Sequence, residues 1–236
     1  MKYKKSPLDR FLEQRINDNA KELKQTLNET LKMEQNCLEQ IRHSINHCKN
    51  NIAVCEKQIK KCSSASLAIL ETKKSAFKDN LLIWNTMGHI QMASIEMKEY
   101  MKRLSVESLD EWEQRDVIKS VYTAIYETSK KLVDATAEIF KFIKRYFPNY
   151  DYRTFTDVRK ELTRFRESNT FEITRVRNTI DAHRDVEVSV QIEVIEGLHL
   201  ANAVQLIVEY EGIINKLGNE TSPIKELGLK RLQACF

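Results

Sequence analysis

Apolar positions recur down the first part of this chain at alternating steps of three and four residues. From Leu38 the pattern runs through Ile41, Ile45, Cys48, Ile52, Cys55, Ile59 and Cys62 without a miss. Such a run is the a/d seam of a helix that packs lengthwise on another helix. Leu27 and Leu31 extend the stripe toward the N-terminus, and Glu34 breaks it. The seam is narrow and its flanks are polar, so it predicts contact with one or two partner helices rather than burial on all sides. Ser63-Ser64-Ala65-Ser66 contains neither Gly nor Pro, so a turn and an uninterrupted helix both fit there. A second helix is predicted from about Leu67 to Leu104, with Leu70, Phe77, Leu81, Trp84, Ile95 and Met101 as its contacts. Running it back antiparallel to the first is the simplest way to bury both stripes.

Ser105 to Ser108 marks the next boundary, and Ser108-Leu109-Asp110-Glu111 reads as a capping box. The helix it opens should run to about Tyr146, where Pro148 stops it. Thr156-Asp157 begins a shorter helix that ends near Ser168-Asn169. Thr170 then caps another, which carries Arg177 and reaches about Ala182. The β-branched stretch from Asp185 to Gln191 is ambiguous and is read as a loop passing into a last long helix. Ile192, Ile195, Leu198, Val204, Leu206, Ile207 and Ile213 supply that helix's apolar surface to about Leu217. Gly218 is its expected stop, and a short helix follows Pro223.

Composition agrees with this reading. Five Gly and three Pro, with 42% hydrophobic and 31% charged residues, suit amphipathic helices. No period-two alternation lasts long enough to suggest a sheet. The expected fold is therefore all-α, with residues 1–105 as a helical hairpin or coiled-coil region and 106–236 as a helical domain. No run of apolar residues is long enough to span a membrane. Met1-Lys2-Tyr3-Lys4-Lys5 has no apolar stretch behind it and does not read as a signal peptide. The five Cys are odd in number and lack C-x-x-C spacing, which points to a reducing, cytoplasmic setting.

The net charge of +4 is unevenly spread. Residues 1–105 carry 19 basic against 12 acidic side chains, and 141–184 carry 11 against 6. At the end of that second basic stretch lies Arg177-Asn178-Thr179-Ile180-Asp181-Ala182-His183-Arg184-Asp185. A permanent cation here stands near a side chain that titrates close to neutrality. Arginine's planar fork suits a phosphate that gains charge in a reaction, and histidine suits proton transfer. Six residues apart on a regular helix, Arg177 and His183 diverge by about 120°. Both can still reach a phosphate held between this helix and another.

These residues resemble the signature of the HEPN superfamily (higher eukaryotes and prokaryotes nucleotide-binding): an Arg, four to six residues, then a His, often with a polar residue such as Asn after the Arg. Arg42…His47 meets the same spacing and is taken as coincidence. Asn178, the Ala182-His183-Arg184-Asp185 ending and the apolar helix that follows set the second match apart. The resemblance covers about the last 130 residues and implies a HEPN-like helical bundle acting as a metal-independent endoribonuclease. Arg177 would neutralise the scissile phosphate, His183 would exchange protons with the RNA 2′-OH, and Asn178 would orient one or the other. Glu127, an acidic residue on a largely apolar helix, is the candidate for a supporting polar residue, against a local pair with Lys130 or Lys131. The resemblance further implies a homodimer, RNA as substrate, no cofactor, and a toxin or antiviral defence context with an antitoxin or regulatory partner.

Other constellations point elsewhere. His43 and His47 share a helix face as zinc ligands would, but no second ligand cluster lies nearby. Cys48, Cys55 and Cys62 form a thiol ladder that reads as small buried hydrophobes or as redox cross-links. The rival to an enzyme is a non-catalytic helical module that binds a partner helix through its seam, or binds nucleotides without cleaving them.

Overall fold

The structure is a computed structural model that describes residues 7–62, 64–182 and 187–235. Among them are six α-helices, one π-helical segment and no strand: α1 (Pro7–Ile59), α2 (Ser64–Val106), α3 (Glu111–Tyr146), α4 (Arg153–Val176), the π-helical Arg177–Ala182, α5 (Val188–Glu196) and α6 (Leu200–Gln233). None of the helices is long and apolar enough to cross a membrane.

Pro7, whose fixed φ suits a first helical position, opens α1. In the seam Ile41, Cys48 and Cys55 are buried, while Leu38, Ile45, Ile52, Ile59 and Cys62 are half-buried. The helices α1 and α2 run antiparallel: Glu34 meets Lys98, Ile41 lies beside Gly88, and the His47 ring meets that of Phe77. The break in the stripe at Glu34 now has its cause. Its carboxylate accepts from Lys98 at 2.7 Å and from the Ser94 hydroxyl at 3.0 Å, while Lys98 also pairs with Glu211 of α6. At the far end of α1, buried Asp9 accepts from the Ala201 N–H at 3.0 Å and lies 3.4 Å from His199 Nδ1. A carboxylate from the opposite end of the chain thus satisfies an orphan donor in the first turn of α6, whose own cap residue makes no side-chain cap bond.

The helix break near residue 106 does not divide the core. Ile83, Ile90, Ala93, Met97 and Leu104 of α2 belong to the same buried cluster as α3, α4 and α6. On α2, Asn80 donates to Ala76 O and to Gly228 O of α6 at 2.8 Å. A Cβ on Gly228 would stand 2.8 Å from both Asn80 Oδ1 and Ile83 Cδ1, so glycine there lets α6 approach α2 without displacing those buried side-chain ends.

Three sequence-based boundaries shift. The capping box of α3 is built by Asp110 and Glu113 rather than by Ser108 and Glu111: Asp110 Oδ1 accepts from the N–H groups of Trp112 and Glu113, and Glu113 accepts from Asp110 N–H. The helix then ends at Tyr146, as expected. The stop near Ser168-Asn169 is absent, and α4 runs on to Val176. Ser168, Asn169 and Thr170 bond back to the carbonyls of Arg164, Phe165 and Arg166 instead of capping a new helix. Finally, the last long helix begins only at Leu200, after a break at Gly197, and passes through both Gly218 and Pro223 to Gln233. Leu217, Thr221 and Ile224 are fully buried around those two residues. Packing on α2 there outweighs local helix-breaking tendency.

Candidate functional site

The candidate site forms where α4 meets α3. The two are antiparallel neighbours, since Arg159 of α4 lies over Phe140 of α3 while Arg177, eighteen residues on, lies over Tyr126. Tyr122 Oη donates to Glu172 Oε1 at 2.8 Å across the same junction, and burial raises the pKa of that phenol.

Arg177 sits at the last bond of α4 and the first residue of the π-helical segment, with its backbone N–H shared between Ile173 O and Thr174 O. The segment's wider i→i+5 bonding replaces regular α-helical spacing from Arg177 to Ala182. Such segments are rare and recur at functional sites. The guanidinium is held on three sides. Its carbon lies 4.5 Å from the Tyr126 ring centroid, Nη2 pairs with Glu127 Oε1 at 3.1 Å, and Nη1 donates to Asn178 Oδ1 at 3.3 Å. The Arg177 side chain is 27% exposed and that of Glu127 42%. The cation is therefore oriented by ring and carboxylate, yet still meets solvent. With five N–H donors, an arginine so held keeps further donors for an oxyanion.

Of the four site residues expected from sequence, Arg177, Asn178 and Glu127 converge, while His183 lies outside the described residues. Glu127 turns to Arg177 in place of Lys130 or Lys131. Tyr126 had no sequence signal of its own; its contact depends on which face of α3 meets the end of α4. Beyond Arg177, Arg175 lies 3.8 Å from Glu193, tying α4 to α5. On α5, Val188 and Ile192 are exposed at 69% and 45%, so this short helix offers an apolar surface close to the motif.

The remaining candidates are quieter. His47 Nε2 lies 3.2 Å from the Asn51 amide nitrogen, which donates, and His43 is exposed. No group of three metal-ligating side chains converges among the described residues. Cys48 and Cys55 are buried with free thiols, and burial pushes the Cys48 thiol above its usual pKa, away from thiolate chemistry.

Set against family models, curated proteins and solved structures, the chain finds no match in any of the three comparisons.

Proposed function

We propose that this protein is a metal-independent endoribonuclease of HEPN type, with its site at the junction of α3 and the end of α4. The observation that carries the reading is the Arg177–Glu127 pair at 3.1 Å with Tyr126 beneath the guanidinium. An arginine held in this way, six residues before the only histidine of the motif, supplies both requirements of cleavage by an internal nucleophile. In that reaction the 2′-oxygen of RNA attacks the adjacent phosphorus, its proton leaves to a base, and the P–O5′ bond breaks as a proton reaches the departing oxygen. The products are a 2′,3′-cyclic phosphate and a 5′-hydroxyl. Arg177 meets the charge that builds on the phosphoryl oxygens, and His183 carries the protons. Glu127 acts through Arg177 by holding one edge of its fork, which makes it a positioning residue. Asn178, bonded to Arg177, belongs to the same array. The exposed apolar residues of α5 support pairing of two copies beside the motif, as the resemblance implies, and the toxin or defence role belongs to the same reading.

The test is cleavage of total RNA in EDTA by the wild type beside His183→Ala and Arg177→Ala. Each variant should lose about a hundredfold or more in rate, the usual worth of a general acid–base or an oxyanion contact, with helix content and melting temperature unchanged. Wild-type cleavage in either variant removes the assignment.

A second reading, a helical interaction module without catalysis, is favoured by one observation. Phe11, Met33 and Val54 of α1 are exposed at 55%, 64% and 49%, more apolar surface than a solvated helix needs. A folded wild type that cleaves no RNA but captures a helical partner through α1 would establish this module instead.

A further inference from the structure

The arginines of α4 differ in how they are paired. Arg153 bonds Asp151, Arg175 lies by Glu193 and Arg177 by Glu127. Between them Arg159, Arg164 and Arg166 pair with no carboxylate among the described residues. On this helix Asp157 is taken by Lys160 and Glu161 by Lys216, and Glu167 forms an ion pair with none of the three. Arg159 is half-buried, and its Nε is fully enclosed without a hydrogen-bond partner. An enclosed guanidinium donor without an acceptor is uncommon, because desolvating it without compensation is unfavourable.

Arg159 and Arg164 face a groove. Arg159, Lys160 and Arg164 line a cavity of about 390 Å³ with Phe140, Thr156 and Thr163, and Lys144 stands 4.5 Å from the Phe140 ring on the α3 side. Seven and eleven residues are close to whole numbers of helical turns, so Arg159, Arg166 and Arg177 fall in one row along α4. On α3 the matching positions Tyr126, Val133, Ala137 and Phe140 are all half-buried, as the floor of a shallow groove would be. An arginine lies over an aromatic ring at each end, Arg159 on Phe140 and Arg177 on Tyr126. From Arg159 to Arg177 the helix rises about 27 Å, roughly the length of eight stacked nucleotides.

We infer that the α3–α4 groove binds the phosphodiester backbone of single-stranded RNA, with Arg159 and Arg166 on phosphates along their row and Arg164 reaching one from the outer wall of the cavity, and leads the strand to Arg177. The identity of the polyanion as RNA rests on the ribonuclease reading above; the unpaired cations call for a polyanion by themselves. Arginine suits the role because its fork takes two phosphate oxygens at once.

The experiment measures anisotropy of a labelled, non-cleavable 2′-O-methyl RNA of roughly 12 nucleotides with the full chain in EDTA across a series of KCl concentrations. The wild type is compared with the triple variants Arg159→Ala/Arg164→Ala/Arg166→Ala and Arg159→Lys/Arg164→Lys/Arg166→Lys. The alanine triple should bind at least about tenfold more weakly, with a log–log salt slope shallower by about 2, three phosphate contacts at ~0.7 each. The lysine triple should keep most of the slope. Should the alanine triple fail to fold, Arg164→Glu, at an exposed position, should alone weaken binding and lower the slope by about 1. Wild-type affinity and slope in the alanine triple and in Arg164→Glu overturn the groove, as does a wild type that binds no RNA. Single-stranded DNA bound as tightly, and lost in the same variants, supports a backbone reader. Binding of phosphatidylserine vesicles in place of either nucleic acid overturns it. Intact groove binding without cleavage of natural RNA removes the ribonuclease reading alone, and unchanged cleavage by the alanine triple with unchanged KM removes the groove alone.

Discussion

At the junction of α1, α2 and α6, Lys98 is enclosed by Glu34, Glu211 and Ser94, one from each direction of packing. Along the α3–α4 groove, three arginines stand within a few turns of one another with no carboxylate answering them. Both regions are rich in charge and both lie between helices, yet in one each charged side chain meets an opposite charge and in the other none of the three arginines does. The closed cluster holds three helices in register, since removing Lys98 leaves both Glu34 and Glu211 without their cation. The open row contributes little to holding α4 on the bundle, where Phe155, Leu162 and Ile173 are already buried in the shared core. Charge that a fold satisfies internally belongs to its architecture, and cation left over in a groove belongs to something outside it.

The strongest way to break that contrast is Lys98→Met. It leaves Glu34 and Glu211 facing each other in a partly desolvated site, and should destabilise the fold by about 3–5 kcal/mol, read from urea midpoints. A loss below about 1 kcal/mol would show the cluster to be an ordinary surface pair. Burial works against the Lys98 charge, but hydrogen bonds to Glu211 and Glu34 outweigh it and raise its pKa above the usual lysine value. A raised folded pKa means that this stabilisation is complete below the unfolded value of about 10.4 and is lost as pH climbs through the folded one. Wild type should therefore lose stability more steeply than Lys98→Met above about pH 10.4.

Gly228→Ala comes next. Its Cβ would press on Asn80 and Ile83 at 2.8 Å, and overpacking of this kind should cost about 1–3 kcal/mol in thermal or denaturant unfolding. Asp9→Ala removes the tertiary cap on α6 and should cost about 1 kcal/mol, seen as faster amide exchange at Ala201. In the open region the expected effects on stability are the smallest. Arg164→Ala and Arg166→Ala should stay within about 0.5 kcal/mol of wild type, and Glu127→Gln within about 1 kcal/mol, because its pair with Arg177 is half-exposed. Any larger change in cleavage by Glu127→Gln should appear in kcat rather than in melting temperature. A large loss of stability from Arg164→Ala or Arg166→Ala would make the row architectural and erase the contrast.

Much of the local architecture was legible because it depends on periodicity alone. The seam from Leu38 to Cys62, the helix ending at Tyr146 before Pro148, and the absence of strands among the described residues all follow from spacing and from Gly and Pro scarcity. The misplaced boundaries share a cause. Ser168, Asn169, Thr170 and Gly218 are read as ends when judged by local tendency, but each sits on a helix whose next turns are buried. Val176 draws α4 past its polar stretch, and Thr221 and Ile224 draw α6 past Gly218 and Pro223. At the site, Arg177, Asn178 and Glu127 were nameable from residue type and spacing. That Glu127 reaches Arg177 rather than Lys130 was not, because it depends on how far α3 and α4 slide along each other.

By itself, then, the sequence determined that this protein is helical, where most of its apolar stripes lie, and that a basic stretch ends in an Arg–Asn–His motif. Hydrophobic spacing and backbone propensity act within a few residues, so these features are written locally. Only the tertiary structure decided that Glu34 breaks its stripe to meet Lys98, that Asp9 caps a helix 192 residues away, and that three arginines of α4 are left unpaired over a groove. Those outcomes hang on which helix faces meet and at what register, and register is set by the packing of the whole core.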